Sequence, residues 1–309
     1  MKGSSEKIGG VTLCYDDYTG RDLYVDGSEE RLLEIVQRYS HEQYVEVIKE
    51  ACSWSILYHL SNIRGNIVEW MPIKDTDNVL EIGAGCGAIT GVLAKKAGNV
   101  DCIELSRQRS LINATRNKEF DNISIFVGNF QDIEKKLQRK YDYITLIGVL
   151  EYAESYIQGE KPYHAFISLL KKHLTPDGKV IIAIENKFGL KYWAGCREDH
   201  LGTYYCGLEG YPDTHSVRTF SRDELAKMAE ECGFADVSFY YPYPDYKLPL
   251  SIYSDEYLPK AGELTNNYRN FDGERMINFN ESKVFDEIIK DGKFPFFSNS
   301  FLIVLGEVS

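Results

Sequence analysis

The chain has 309 residues and no pair of cysteines at CxxC spacing; its seven cysteines stand singly. That excludes a dense disulfide framework and predicts reduced, mostly buried thiols in cytoplasm. Long apolar runs are missing too. The longest, "VIIAI" and "FLIVL", are strand-sized, so no transmembrane segment is expected. The opening "MKGSSEKIGG" has no apolar signal-peptide core, which also predicts a cytoplasmic location. Basic residues are in deficit, with 35 Lys and Arg against 47 Asp and Glu, a net charge of -12. They form no cluster, so the surface should repel polyanions and nucleic acid is not an expected partner. Internal repeats and low-complexity tracts are absent.

Against these absences stand 43% hydrophobic and 13% aromatic residues, enough for a sizeable core. After a polar start, Ser28 precedes "EERLLEIVQRYS" as a helix cap, and apolar residues keep helical spacing up to Pro72. Short apolar runs then alternate with helical stretches from "NVLEIG" to "GKVIIAIEN", the rhythm of a parallel sheet covered by helices on both faces. "SRDELAKMAEECGF" reads as a helix capped by Ser221 and stopped by Gly233. "DVSFYYPYP" and "SFLIVLGEV" read as two further strands, separated by about fifty residues, too many for a turn.

"NVLEIGAGCGAIT" joins a strand to a helix, where free backbone N–H groups and the helix dipole can meet a polar ligand. Gly83, Gly85 and Gly87 permit a sharp turn and close approach of that ligand. Glu104 ends the next strand, placed to accept hydrogen bonds from both hydroxyls of a ribose. "GAGCGA" also satisfies the loose dinucleotide pattern, so two ligands compete. Glu81, two residues before Gly83, favours a ligand with a cationic end over a pyrophosphate, and the loop itself holds no basic residue.

"VLEIGAGCGAIT", "IEL", "GNFQDI", "YDYITLIGVLEY" and "LTPDGKVIIAIEN", in that order, resemble the motifs of class I S-adenosylmethionine-dependent methyltransferases. The resemblance implies an α/β, doubly wound, seven-stranded Rossmann-like sheet whose last strand is antiparallel. It implies S-adenosylmethionine as cofactor. Glu81, Gly83, Ala84, Gly85 and Gly87 would surround its methionine part, and Glu104 and Leu105 its ribose. Asn129 or Asp132 would contact the adenine, Phe130 would cover the ring, and Gly148 and Val149 would line the cleft. Residues 1–74 are then a helical cap, 75–244 with 298–309 the core, and 245–297 a lid inserted between the last two strands. A weaker resemblance, carried by "ENKFGLKYWAG", "EDH", "YPYPDYKLP" and "FPFFSNSFLIV", is to bacterial methyltransferases associated with glycosyltransferases of surface-polysaccharide assembly. It implies a glycan or glycolipid acceptor and a glycosyltransferase as partner; a second copy of the chain is the other expected partner.

The acceptor should be chosen at the carboxyl ends of strands four and five, where an open α/β sheet presents ligands. Methyl transfer to a hydroxyl needs alignment, exclusion of water and removal of a proton. His200 is the expected base, since imidazole titrates near neutrality, with Asp199 beside it and Glu185 nearby. Tyr152, Asn186, Tyr204, Glu209 and Tyr243 are the expected substrate contacts. No tight spacing of acids and histidine marks a metal site, and none is expected. Hydroxyl methylation of a sugar-containing or small-molecule acceptor is the favoured reading. Nitrogen or carbon methylation, a nicotinamide-dependent oxidoreductase and a non-catalytic module of the same fold are the alternatives.

Overall fold

A computed structural model describes residues 5–267 and 274–306. Residues 1–4 of the expected cap, 268–273 of the expected lid and 307–309 of the expected last strand lie outside that range. The chain divides into two compact units, Met1–Leu146 with Lys172–Lys179, and Ile147–Lys171 with Val180–Ser309. Ten strands occur among the described residues, where seven were expected. They are β1 (Ser5–Ile8), β2 (Val11–Cys14), β3 (Asn78–Ile82), β4 (Asn99–Glu104), β5 (Ile123–Val127), β6 (Tyr141–Ile147), β7 (Leu174–Glu185), β8 (Asp236–Tyr243), β9 (Ser251–Ser254) and β10 (Ser300–Gly306).

In the first unit the strand order is β1-β2-β5-β4-β3-β6. β3 lies between β4 and β6 and runs parallel to both. Strands so placed are covered on both faces, which is why β3 and β4 are buried almost throughout, their acids Glu81, Asp101 and Glu104 included. β1 and β2 form a hairpin, with β2 parallel to β5. The sequence reading passed over this hairpin because its strands are four residues long and its first strand is polar. Its turn is specific all the same. Gly9 has φ +60°, and a Cβ there would stand 2.2 Å from the Lys118 carbonyl oxygen, so only glycine fits.

The helices Glu29–Arg38, Tyr44–Ala51 and Trp54–Leu60 send Leu32, Ile35, Val36, Tyr44, Ile56 and Leu60 into one buried cluster. Ile112 and Cys86 complete it. Each aliphatic side chain so buried contributes about 1.5–3 kcal/mol. Cys86 belongs to the glycine segment, so the amino-terminal helices hold that loop from behind.

In the second unit the order is β7-β10-β8-β9. β10 is antiparallel to both β7 and β8, as expected for the last strand. β9 adds an antiparallel edge to β8 and arises within the stretch expected to form a lid. The same stretch holds the helices Glu281–Lys290 and Phe294–Phe297, and Phe294 packs edge-on against Tyr241 and Tyr253. The helix Arg222–Glu231 starts at Ser221 with a reciprocal capping box to Glu224, and Gly233 follows it at φ +83°. All seven cysteines are free; Cys86, Cys102 and Cys196 are buried, and Cys52 is exposed. Among the described residues no helix is long and apolar enough to cross a membrane.

Candidate cofactor and acceptor sites

After β3 the backbone of Gly83, Gly85 and Gly87 takes φ of +71°, +53° and +78°, the left-handed region that side chains resist. A Cβ on Gly87 would stand 2.4 Å from Asn113 Oδ1. Gly83 N–H donates to the Ile103 carbonyl at 2.8 Å, tying the loop to β4. Glu104 does the same with its side chain: one carboxylate oxygen accepts from Gly85 N–H at 2.8 Å, the other from Ser106 N–H at 2.9 Å.

Glu81 lies beneath this loop. Its carboxylate accepts from Thr90 Oγ1 at 2.5 Å, Thr90 accepts from Asn113 Nδ2 at 2.9 Å, and Asn113 Oδ1 accepts from Asn117 Nδ2 at 2.8 Å. Burial pushes the Glu81 carboxyl up to about 7, with the Thr90 and Cys102 hydrogen bonds opposing. The acid that singled out the loop in the sequence is thus built into the loop's support.

Sequence reasoning missed Arg109. The loop has no basic residue of its own, but a Cβ on Gly85 would lie 3.3 Å from an Arg109 guanidinium nitrogen. Arg109 is buried, lies 3.9 Å from Asp26 and stands over the Tyr24 ring. Its Nε has no hydrogen-bond partner. Nothing in the local pattern "SRQRS" distinguishes it from a surface arginine; only the fold turns it toward Gly85.

These groups fit S-adenosylmethionine. A carboxylate offers about four acceptor positions. Glu104 uses one on Gly85 of the loop and one on Ser106 after β4, which leaves one on each oxygen for the two ribose hydroxyls. The methionine part carries a carboxylate as well as an ammonium, and the Arg109 guanidinium matches the former. Ala84 is buried within the loop and Leu105 half-buried after β4. Asn129 caps the short helix Phe130–Ile133, its side chain accepting from Gln131 N–H, and Phe130 is buried. Gly148 and Val149 belong to the second unit. Gly148 has φ +72°, and a Cβ there would stand 2.7 Å from the Tyr246 hydroxyl.

The second unit gathers its own cluster from four places. Glu151 follows β6, Glu185 ends β7, "EDH" brings Glu198, Asp199 and His200, and Lys247 follows β8. His200 Nδ1 is 2.9 Å from Glu198 Oε1, and its Nε2 is 3.5 Å from Glu151 Oε1 and 3.8 Å from Glu185 Oε2. Glu198, not the expected Asp199, therefore orients the imidazole. Asp199 instead pairs with Lys191 at 2.8 Å and with Lys247, and it accepts from the Tyr192 hydroxyl at 2.6 Å. Burial favours a neutral His200, but Glu185, Glu151 and Glu198 together hold it charged, well above its ordinary value. Burial raises the Glu151 carboxyl, with His200 opposing. Three acids around the ring hold His200 toward its charged form, which works against its taking a further proton.

Of the expected substrate contacts, Tyr152 meets this cluster, its ring edge-on to His200 at 5.4 Å. Asn186 does not: it is fully buried and donates to the carbonyls of Phe296 and Ser298 while accepting from Phe188 N–H. Both polar atoms of that amide go to holding the chain after β7. Tyr204 packs against Tyr205 under the Arg197 guanidinium, and Glu209 is exposed on a turn. The buried Tyr243 hydroxyl accepts from Asn266 N–H at 2.6 Å.

The glycine loop and its acid-bearing strands define a nucleoside-binding α/β enzyme. A family model described as a methyltransferase domain matches residues 55–238, more than half of the chain, and the chain belongs to that family. The matched part of the chain is a methyltransferase domain, the kind that transfers methyl groups. Among curated proteins, a ribosomal RNA small subunit methyltransferase A of Syntrophus aciditrophicus (strain SB) is 28% identical over 102 residues, 33% of this chain and 34% of that protein. The protein of the same name from Streptococcus pneumoniae (strain JJA) is 38% identical over 65 residues, 21% of this chain and 22% of its own. The chain thus spans about a third and about a fifth of these relatives. Among solved structures, a SAM-dependent methyltransferase from Archaeoglobus fulgidus aligns with TM-score 0.48 at 14% identity, over 80% of this chain and 93% of that one. Phosphoethanolamine N-methyltransferase 1 of Haemonchus contortus aligns with TM-score 0.49 at 13% identity, over 92% and 52%.

Proposed function

We propose that the enzyme methylates a hydroxyl of a small polyhydroxyl acceptor, a sugar or sugar-containing molecule. The observation that carries this reading is a pair of buried carboxylates with free acceptor atoms. Glu151 Oε2 and Glu185 Oε2 are buried without a hydrogen-bond partner. Such oxygens are costly to leave bare, and hydroxyl donors satisfy them.

Bound S-adenosylmethionine supplies an electrophilic methyl group on a sulfonium. The acceptor oxygen bonds to the methyl carbon as the carbon–sulfur bond breaks with its electron pair on sulfur, and the hydroxyl proton passes to Glu185 or Glu151. His200 takes the part of holding these carboxylates in place, with Glu198 fixing its ring; Tyr152 and Tyr204 offer flat apolar faces to a sugar. Residues 245–297 serve as the lid over the acceptor, residues 1–74 as the cap, and 75–244 with 298–309 as the core. Such an acceptor suits a cytoplasmic enzyme of polysaccharide assembly with a glycosyltransferase as partner. The curated relatives are named for ribosomal RNA, but a net charge of -12 opposes a polyanionic acceptor.

The test is transfer of labelled methyl from S-adenosylmethionine to a panel of free sugars, sugar nucleotides, amines and RNA. Label in the polyhydroxyl compounds, stable to amine-specific cleavage, is expected. Label confined to amines or RNA refutes the reading.

A further inference from the structure

Glu151, Glu185 and His200 each offer one donor atom, and the three atoms lie within 4.8 Å of one another. We propose that these three residues form a binding site for a divalent metal ion, which serves the acceptor site described above.

Geometry comes first. Ligand atoms about 2.0–2.2 Å from one ion are separated by roughly 3.0–3.5 Å at ordinary coordination angles. The His200 to Glu151 separation of 3.5 Å lies at the edge of that range, and the His200 to Glu185 separation of 3.8 Å needs a contraction of a few tenths. The donors are also held from behind. His200 Nδ1 is engaged by Glu198, itself fixed by the Tyr211 hydroxyl and by the N–H groups of His200 and Leu201, which leaves Nε2 as the ligating nitrogen.

Two observations beyond the acids themselves point to a ligand. Glu151 is 1% exposed and Glu185 0%, and Oε2 of each lacks a hydrogen bond. The charge balance is also incomplete. Among the described residues, Glu151, Glu185, Glu198, Asp199 and Asp245 meet Lys191, Lys247 and His200, five acids against three bases. Two carboxylates and one imidazole suit Mn2+, Mg2+ or Zn2+ better than a soft monovalent ion. Lys247 Nζ, 2.8 Å from Glu185 Oε1, is the competing cation.

The experiment is titration of chelator-stripped full-length protein with Mn2+, following the loss of the free-ion EPR signal. One Mn2+ per chain is expected, with at least tenfold weaker binding in Glu185→Gln and His200→Ala. Lys247→Gln should tighten binding several-fold, an effect that a purely structural ion-pair cluster would not produce. Each protein is first shown to bind S-adenosylhomocysteine, which certifies its fold and its cofactor site. No uptake at millimolar Mn2+ by protein that binds S-adenosylhomocysteine overturns the metal site and leaves methyl transfer standing. Uptake unchanged by Glu185→Gln and His200→Ala overturns it too. Stoichiometric, variant-sensitive uptake by a protein that methylates no polyhydroxyl compound supports the site and removes the acceptor reading instead.

Discussion

The glycine loop draws its ligand-facing groups from one short stretch, Gly83 to Arg109, whereas the carboxylate cluster draws on Glu151, Glu185, His200 and Lys247. The loop is specified by its backbone: three left-handed glycines, with Glu104 accepting a main-chain N–H. The cluster is specified by side-chain charge, and its backbone has no comparable signature. One site can therefore be broken by adding a single carbon atom, the other only by changing charge.

The largest effect should come from Gly85→Val. A β-branched residue at φ +53°, with its Cβ 3.3 Å from Arg109, cannot keep the loop. Calorimetry should show affinity for S-adenosylhomocysteine reduced roughly a hundredfold or more; unchanged affinity would put the cofactor elsewhere. Glu185→Gln should lower turnover by about two orders of magnitude, as loss of a proton acceptor does, while leaving S-adenosylhomocysteine affinity intact. Loss of both would mean that the two sites are not separable. Glu104→Gln should weaken S-adenosylhomocysteine binding about tenfold to a hundredfold, because an amide has one acceptor atom where the carboxylate has two.

A smaller effect distinguishes the sites by pH. The Glu81 carboxyl has an ordinary pKa of 4.5 and is held up to about 7 by burial, with Thr90, Cys102, Glu104 and Arg64 facing it. Between those values the folded protein binds more protons than the unfolded one, so stability falls as pH rises through that window, by about 3 kcal/mol. Denaturant titrations between pH 5 and pH 7 should show a flatter profile for Glu81→Gln than for the wild type; identical profiles would exclude Glu81 as the source. The smallest effect is a control. Ser221→Ala removes a helix cap remote in sequence from both sites, and it should cost about 1 kcal/mol of stability without changing cofactor affinity.

The same contrast explains what could be read from the sequence. Glycines at alternate positions and an acid at the end of the next strand are local patterns, so the loop and Glu104 were legible. The last strand was legible as an apolar run, and its antiparallel direction followed from the family resemblance. Arg109 was not, because its role depends on a helix turning it toward Gly85. Nor was the exchange of Glu198 for Asp199: adjacent residues on an irregular segment point to different partners, and no periodicity says which. Asn186 resembled a ligand group in the sequence, yet its amide closes a bend after β7. The β1–β2 hairpin escaped notice because four-residue strands carry too little alternation to register.

Cys86 gives the amino-terminal helices a built-in reporter. The residue is 3% exposed within the Leu32–Ile56–Leu60 cluster, so an alkylating reagent reaches its thiol only when that packing opens. The labelling rate of this one thiol, followed by peptide mass, measures the free energy of local opening. Because the thiol belongs to the same loop as Gly85 and Gly87, a ligand seated there should slow the labelling in proportion to its occupancy.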